Sequence, residues 1–471
     1  MALSIRQHLP CVVFVAAFLP TAQALSAGLD CALAKTATES AICVDEELQR
    51  LDSRLSLLYG KLGRAQPLQR EALRQAQLSW LKARDRCGAD TSCITQRYQE
   101  RIDATSAPLR AAVAYQPDSE DRLALAELRQ AVDAMRQSDP EFALEKVLRR
   151  MRIKTGTTSF SNVANDKEQD AGRQFPRIRP AGVTQDEWRA LLDSKIDGGG
   201  ENGSAGYTLV DLDGDGRRDL VLDSYVGGTG LFSYTSALRR DGGKFTGVHR
   251  GGEDDVDAAE GPGYLFSTNG RGANQSGHWI RLRGRVYAAY QVGYYGVDNV
   301  YLLRPLTVVG KVPKLAVHYR YQLAVPKIQR NAEKGTTTAL DDALHAALTR
   351  ALGLVGKERA NDVGNGEKPL CPVPDAAGDD ERAAYSSYGP AHYTYEIAAD
   401  VPVWVGRQCY LGRLVDWFGG YSAEGKLYAQ LWMRKPGEAG DAQRQTYDVK
   451  GVRAAIRLQT SVAKVEGDNG A

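Results

Sequence analysis

The chain has 471 residues, 25% of them charged, and a formal net charge of +2. That balance points to no dominant electrostatic partner and gives no reason to expect nucleic acid, while the length calls for about two or three domains. The class expected is α+β multidomain, with a three-helix N-terminal domain followed by a β-rich domain.

Residues 1–24 read as a secretory signal, with Arg6 in a short polar start, the apolar run CVVFVAAFLP and AQA ending at Ala24. About ten continuous apolar residues are too few for a membrane span, which needs about 20. The chain is therefore expected in the periplasm or outside the cell. Cys11 leaves with the signal, and Cys31, Cys43, Cys87, Cys93, Cys371 and Cys409 remain, an even set that suits an oxidising compartment. No C-x-x-C occurs and the six His are scattered, so zinc is not supported.

Six cysteines allow many connectivities, and helical periodicity narrows them. Leu48, Leu51, Leu55 and Leu58 recur at helical spacing, Gly63 and Pro67 break the pattern, and Leu73, Ala76, Trp80 and Ala83 resume it. An antiparallel helical pair would bring Cys43 and Cys87 to one end, leaving Cys31 for Cys93. A short third helix carries Ile94, Tyr98 and Ile102. The helical domain is placed at 27–115.

The segments LDCALAKTATESAICVDEELQRLDSRLSLLY and QLSWLKARDRCGADTSCITQRYQERI resemble the N-terminal domain of the lysozyme inhibitor LprI family. The skeleton is D-C, T-x-x-E-x-x-I-C, L-x-x-L-D, Q-x-x-W-L-x-x-R-D-x-C, then C and Y-x-x-R-I. The resemblance implies a disulfide-braced helical domain in the bacterial envelope, in a family whose named members bind and inhibit lysozyme. Gln77, Trp80, Arg84 and Asp85 match the motif and are expected to fix the bundle.

Residues 116–200 read as a helical and glycine-rich connector. RLALAELRQAVDAM and DPEFALEKVLRRMRIK are helical, with Asp139 before Pro140 as a helix start. Arg149, Arg150, Arg152 and Lys154 read as a solvated helix end favoured by the dipole. A short helix signal at TQDEWRALL interrupts an otherwise polar stretch. From 201 to 335 the chain turns strand-like, with runs such as GYTLV, DLVLDSYV and LAVHYRYQLAV.

Within that region DLDGDGRRDL spaces Asp211, Asp213 and Asp215 two apart and places Asp219 four further on. Clustered like charges need a cation or strong compensation. Counted as a calcium loop, Asp211, Asp213, Asp215, the Arg217 carbonyl and Asp219 take positions 1, 3, 5, 7 and 9, with Gly216 at the sharp turn. Leu222 stands where an EF-hand needs a bidentate Glu, and the flanks are strand-like. The stretch is therefore similar to the calcium loop of FG-GAP repeats, although no second copy occurs. Without neighbouring acid, base or nucleophile candidates, a structural Ca²⁺ is expected.

Residues 336–471 read as a helix followed by a second β region. ALDDALHAALTRALG sets Leu340, Leu344, Ala347 and Leu348 on one face, and Cys371 is expected to pair with Cys409. No G-x-S-x-G, Walker loop or H-E-x-x-H occurs, so no catalytic residue is assigned and the chain is expected not to be an enzyme. GGGENG at Gly198 to Gly203 reads as a loop, and Glu253, Asp254, Asp255 and Asp257 as a solvated acidic run.

Resemblance and export together lead to an envelope inhibitor or immunity-type protein that blocks a lysozyme-like glycoside hydrolase. The alternative is a non-catalytic module that binds the cell wall or carbohydrate, with peptidoglycan as ligand. Tyr225, Tyr234, Lys426 and Tyr428 are the candidate partner contacts, on exposed loops in either case.

Overall fold

The computed structural model describes residues 28–155, 159–163, 178–196, 204–227, 231–247, 264–270, 274–331, 335–355, 369–378, 382, 385, 397–416, 427–436 and 444–465. The signal at 1–24, GGGENG, the acidic run at 253–257 and Lys426 lie outside them. The chain divides into two compact units between Ala112 and Val113. No helix among the described residues is long and apolar enough to cross a membrane.

The first unit holds α1 (Ala37–Val44), α2 (Glu46–Ala65), α3 (Arg70–Arg84) and the start of α4 (Thr91–Val113). Thr36 and Glu39 close a reciprocal capping box on α1, and Asp45 caps α2 by accepting from the Leu48 amide (3.1 Å). Asp45 thus breaks what reads in sequence as one run into two helices. Ile42, Leu48, Leu51, Leu55, Ile94, Tyr98 and Ile102 form the core, with Leu58 and Trp80 packed against it.

Two expectations are corrected here. Among the described residues the unit contains four α-helices, not three, and α4 is 23 residues long rather than short. The disulfides are Cys31–Cys43 and Cys87–Cys93, not Cys43–Cys87 and Cys31–Cys93. The reason is local. Cys43 ends its own helix, α1, which folds back beside the 3-10 turn Cys31–Leu33. Cys87 ends a second 3-10 turn, Asp85–Cys87, where Gly88 at φ +59° reverses the chain into the first turn of α4, which carries Cys93.

The second unit begins with α5 (Ser119–Ser138) and α6 (Ala143–Met151), then β1 (Ser159–Val163) and α7 (Gln185–Ser194). The strands that follow are β2 (Ser204–Val210), β3 (Asp219–Gly227), β4 (Phe232–Asp241), β5 (Lys244–Gly247) and β6 (Tyr264–Asn269). Next come β7 (Asn274–Leu282), β8 (Arg285–Tyr294), β9 (Val297–Leu303), β10 (Val312–Ala324), β11 (Ile328–Asn331) and β12 (Thr336–Ala339). The last elements are α8 (Asp342–Gly353), β13 (Ile397–Val405), β14 (Gln408–Asp416), β15 (Leu427–Arg434) and β16 (Gln445–Ala463).

An antiparallel six-stranded sheet runs β1-β2-β3-β4-β5, with β6 also on β4. A second antiparallel sheet of eight strands runs β13-β14-β15-β16-β10-β9-β8-β7. Residues on both sides of position 335 therefore build one sheet. The apolar faces of α5, α6 and α8 cover it through Leu128, Val132, Leu144, Leu148, Leu348 and Leu352. The smaller sheet is covered by α7, whose Trp188, Ala190 and Leu191 meet Tyr207, Leu209, Leu220 and Leu222. Cys371 and Cys409 form the third disulfide, beside Leu411.

Buried charge ties helices to the large sheet. Asp121, fully buried at the start of α5, accepts from the Tyr287 hydroxyl (2.7 Å) and from Arg285 Nη1 (3.2 Å). Arg453 on β16 donates to Asp298 on β9 (3.2 Å) and to Glu145 on α6, and lies 4.0 Å over the Tyr319 ring. Burial pushes the Asp298 carboxyl up to about 6, against the pull of Arg453. Asp400 and Arg413 form a second buried pair, bidentate at 2.7 and 2.9 Å.

Candidate functional site

Strands β2 and β3 pair with Val210 opposite Asp219, so residues 211–218 form the hairpin connection between them. Gly214 and Gly216, at φ +82° and +84°, allow the chain to coil inward at its acidic part. The coil is fastened by Asx-type bonds. Asp211 accepts from the amides of Gly214 (2.7 Å) and Gly216 (3.1 Å), and Asp215 from that of Arg217 (2.8 Å).

The result brings one carboxylate oxygen each from Asp211, Asp213 and Asp215 within 4.8 Å of one another. Oxygens about 2.3–2.6 Å from one calcium ion stand at most about 5 Å apart, so the three fit a single coordination sphere of a hard, oxygen-binding cation. Arg217 Nε lies 3.4 Å from Asp215 and Arg239 Nε 3.2 Å from Asp213, which partly offsets the clustered charge.

Asp219 does different work. Its carboxylate is 1% exposed and accepts from the amide of Leu212 (3.0 Å) and from that of Arg240 on β4 (2.8 Å). It pins the start of the loop to the third strand, apart from the trio. Burial pushes its carboxyl above the ordinary range, although the two amides pull the other way.

Sequence reasoning missed the latch beneath the loop. Arg218 grips Glu187 on α7 through Nε (2.7 Å) and Nη2 (2.6 Å), and also donates to the Gly182 carbonyl (2.7 Å). Although burial opposes ionisation, Arg218 and the Thr184 amide hold the Glu187 carboxyl below its ordinary value. Arg240 reaches Asp186 in the same helical turn (2.7 Å). The available signal was the capping box T-Q-D-E, which placed two acids at the start of α7.

The three described candidate contacts, Tyr225, Tyr234 and Tyr428, are spread over two sheets. Tyr225 pairs with Ser233 and Tyr234 with Ser224 across β3 and β4, so the two tyrosines occupy opposite faces of the small sheet. Tyr234 stands edge-on to Tyr264, with centroids 5.0 Å apart. Tyr428 lies on β15 of the other sheet, opposite Lys450.

In the helical unit the four motif residues join one network. Arg84, buried, donates to Asp85 (2.7 Å) and to the Tyr98 hydroxyl (3.0 Å), which in turn donates to Asp52 (2.7 Å). Trp80 donates from its indole to the Arg97 carbonyl (3.1 Å) and packs edge-on against Tyr98. Gln77 accepts from Arg101 (3.1 Å). These bonds knit α2, α3 and α4 together, and they fall inside the segment that matches known proteins. The family described as lysozyme inhibitor LprI matches residues 31–105. Residues 31–105 form an LprI domain.

Among curated proteins, lipoprotein LprI of Mycobacterium tuberculosis and of Mycobacterium bovis is 36% identical to the chain over 77 residues. The match covers 16% of this chain and 38% of those relatives, so the chain spans about two fifths of their length. No solved structure matches. The cysteines and motif residues of this segment thus form two short disulfides and the Asp52–Tyr98–Arg84–Asp85 chain, which are structural contacts within residues 31–105.

Proposed function

We propose that the protein is an envelope inhibitor, of the immunity type, that binds and blocks a lysozyme-like peptidoglycan hydrolase. The observation that carries this reading is the LprI domain at residues 31–105, whose motif residues hold a disulfide-braced bundle with a rigid surface. Preorganisation of this kind suits an inhibitor, because a surface that does not order on binding loses less entropy there. The signal-like residues 1–24 and the disulfides support export to the periplasm or beyond.

The β-rich unit holds a structural Ca²⁺ in this reading, with Asp211, Asp213, Asp215 and the Arg217 carbonyl as ligands and Asp219 and Arg218 shaping the loop around them. The mutual proximity of the three carboxylates supports this. Bound there, the ion neutralises the loop and stiffens the β2–β3 hairpin.

Clearing of a suspension of bacterial cells by lysozyme, with and without the purified protein, tests the function. Dose-dependent protection at near-stoichiometric amounts is expected. Sedimentation with peptidoglycan without protection would instead indicate a wall-binding module, and clearing by the protein alone would indicate a hydrolase.

A further inference from the structure

The LprI domain is electrically lopsided. From Arg54 to Lys82 the sequence carries the cations Arg54, Lys61, Arg64, Arg70, Arg74 and Lys82 against the single anion Glu71. From Asp30 to Asp52 it carries Asp30, Glu39, Asp45, Glu46, Glu47 and Asp52 against Lys35 and Arg50. The 20 residues of α2 rise about 30 Å, several times the Debye length of about 8 Å at physiological salt. A partner that meets the bend between α2 and α3 is therefore nearest to Lys61, Arg70 and Arg74, with Glu71 beside them, and is screened from the anions near Asp45.

At that bend the 3-10 turn Pro67–Gln69 lifts Leu68 fully into solvent, 100% exposed. A leucine there adds nothing to the core, and turn chemistry would favour a polar residue in its place. Arg70 and Arg74 follow on exposed positions of α3, Arg74 held in extended form by a fork to Glu71 (2.9 and 3.0 Å), and Lys61 stands half-buried on α2. The tip thus combines an apolar point with the cations Lys61 and Arg70 and the Arg74–Glu71 pair on two helices.

We propose that this tip, Leu68 flanked by Lys61, Arg70 and Arg74, is the surface that enters the substrate cleft of the hydrolase. The proposal rests on the inhibition reading above and adds where the contact is made. The fit is one of charge and shape. A glycoside hydrolase cleft carries a pair of carboxylates about 5 to 9.5 Å apart, set in a groove built for a sugar chain. A narrow helical bend that carries cations around one apolar side chain complements such a groove. The steering supplied by those cations acts mainly on the association rate and weakens with salt.

The test measures lysozyme inhibition and binding kinetics for the full chain, for Leu68→Ser, for Lys61→Glu/Arg70→Glu/Arg74→Glu, and for Glu46→Lys at the other end. Circular dichroism checks that each variant folds. Inhibition should weaken at least tenfold in Leu68→Ser, and the association rate should fall at least tenfold in the triple variant and lose most of its salt dependence. Glu46→Lys should inhibit like the wild type, and an N-acetylglucosamine oligosaccharide that fills the cleft should compete with the wild type. Folded tip variants that inhibit as well as the wild type would overturn the tip while leaving the inhibitor reading intact. A wild type that neither binds nor inhibits would overturn both. Tip-dependent binding to phosphatidylglycerol vesicles, with tip-independent inhibition, would assign the surface to a membrane and overturn the proposal.

Discussion

The most buried arginine of each unit finds its carboxylate at a very different distance along the chain. In the LprI domain Arg84 is neutralised by the next residue, Asp85, and the cysteines pair across 12 and 6 positions. In the β-rich unit Arg453 reaches back 155 positions to Asp298 and 308 to Glu145. Closing long loops costs more chain entropy and slows folding, so the first unit assembles from near neighbours and the second needs most of its chain in place. The difference explains how an LprI segment can be carried as a module on unrelated sequence, since little of what holds it together lies outside residues 31–105.

Arg453→Met breaks the long-range side of this contrast most severely. It leaves Asp298 buried and the partly exposed Glu145 without their cation, and should cost the β-rich unit about 3–5 kcal/mol while the transition of the first unit stays in place. Native-state hydrogen exchange under denaturant, read separately on peptides from residues 28–112 and from 113–465, checks it, and equal losses in both would refute the independence of the units. Replacing Cys31 and Cys43 by Ser tests the local side. The stability of the first unit should fall by about 2–4 kcal/mol and that of the second should not move.

Calcium should act on the second unit alone. With the ion at about 100 times its dissociation constant, the folded state gains about 2.7 kcal/mol, so chelation should lower only the β-rich transition in scanning calorimetry. Asp213→Ala should abolish that response, and identical melting with and without chelator would sink the calcium assignment. Asp298 supplies the smallest effect, read against pH. It keeps its proton up to about pH 6 in the fold but releases it near its ordinary value of 3.8 when unfolded. Between those values the unfolded chain binds fewer protons, so stability falls as pH rises, by at most about 1.4 kcal/mol per pH unit. Asp298→Asn should flatten that slope in urea titrations from pH 4 to 7, and an unchanged slope would place its origin elsewhere.

The contrast also governs what could be read from sequence. Periodic apolar residues and acid-bearing caps marked α5, α7 and α8, because a helix buries one face at a spacing of three to four residues. The gathering of Asp211, Asp213 and Asp215 was legible because the three carboxylates and two glycines lie within six residues. Where α1 ends was not, since Cys43, Val44 and Asp45 look like continuing helix until the side chain of Asp45 is seen capping α2. That one missed break carried both disulfide errors with it. The position of Arg453 was equally hidden. A charged residue alternating with apolar ones in a strand normally marks a solvent face, and nothing near Val452 or Ala454 announces Asp298 or Glu145. At Asp219 spacing alone does not show the two amides, of Leu212 and Arg240, that its carboxylate accepts from.

Strand β16 has a consequence for how the protein is made. Its 19 residues are the seam of the eight-stranded sheet, with β10, β9, β8 and β7 on one side and β15, β14 and β13 on the other. A ribosome releases the chain from its N-terminal end, so these two four-strand and three-strand halves wait, each with an unpaired edge, until Gln445–Ala463 emerges. During that interval the edges of β10 and β15 are open to any passing strand. A nascent chain stalled before Gln445 would thus be the aggregation-prone form of the protein, and a chaperone that shields strand edges would serve it best at that moment.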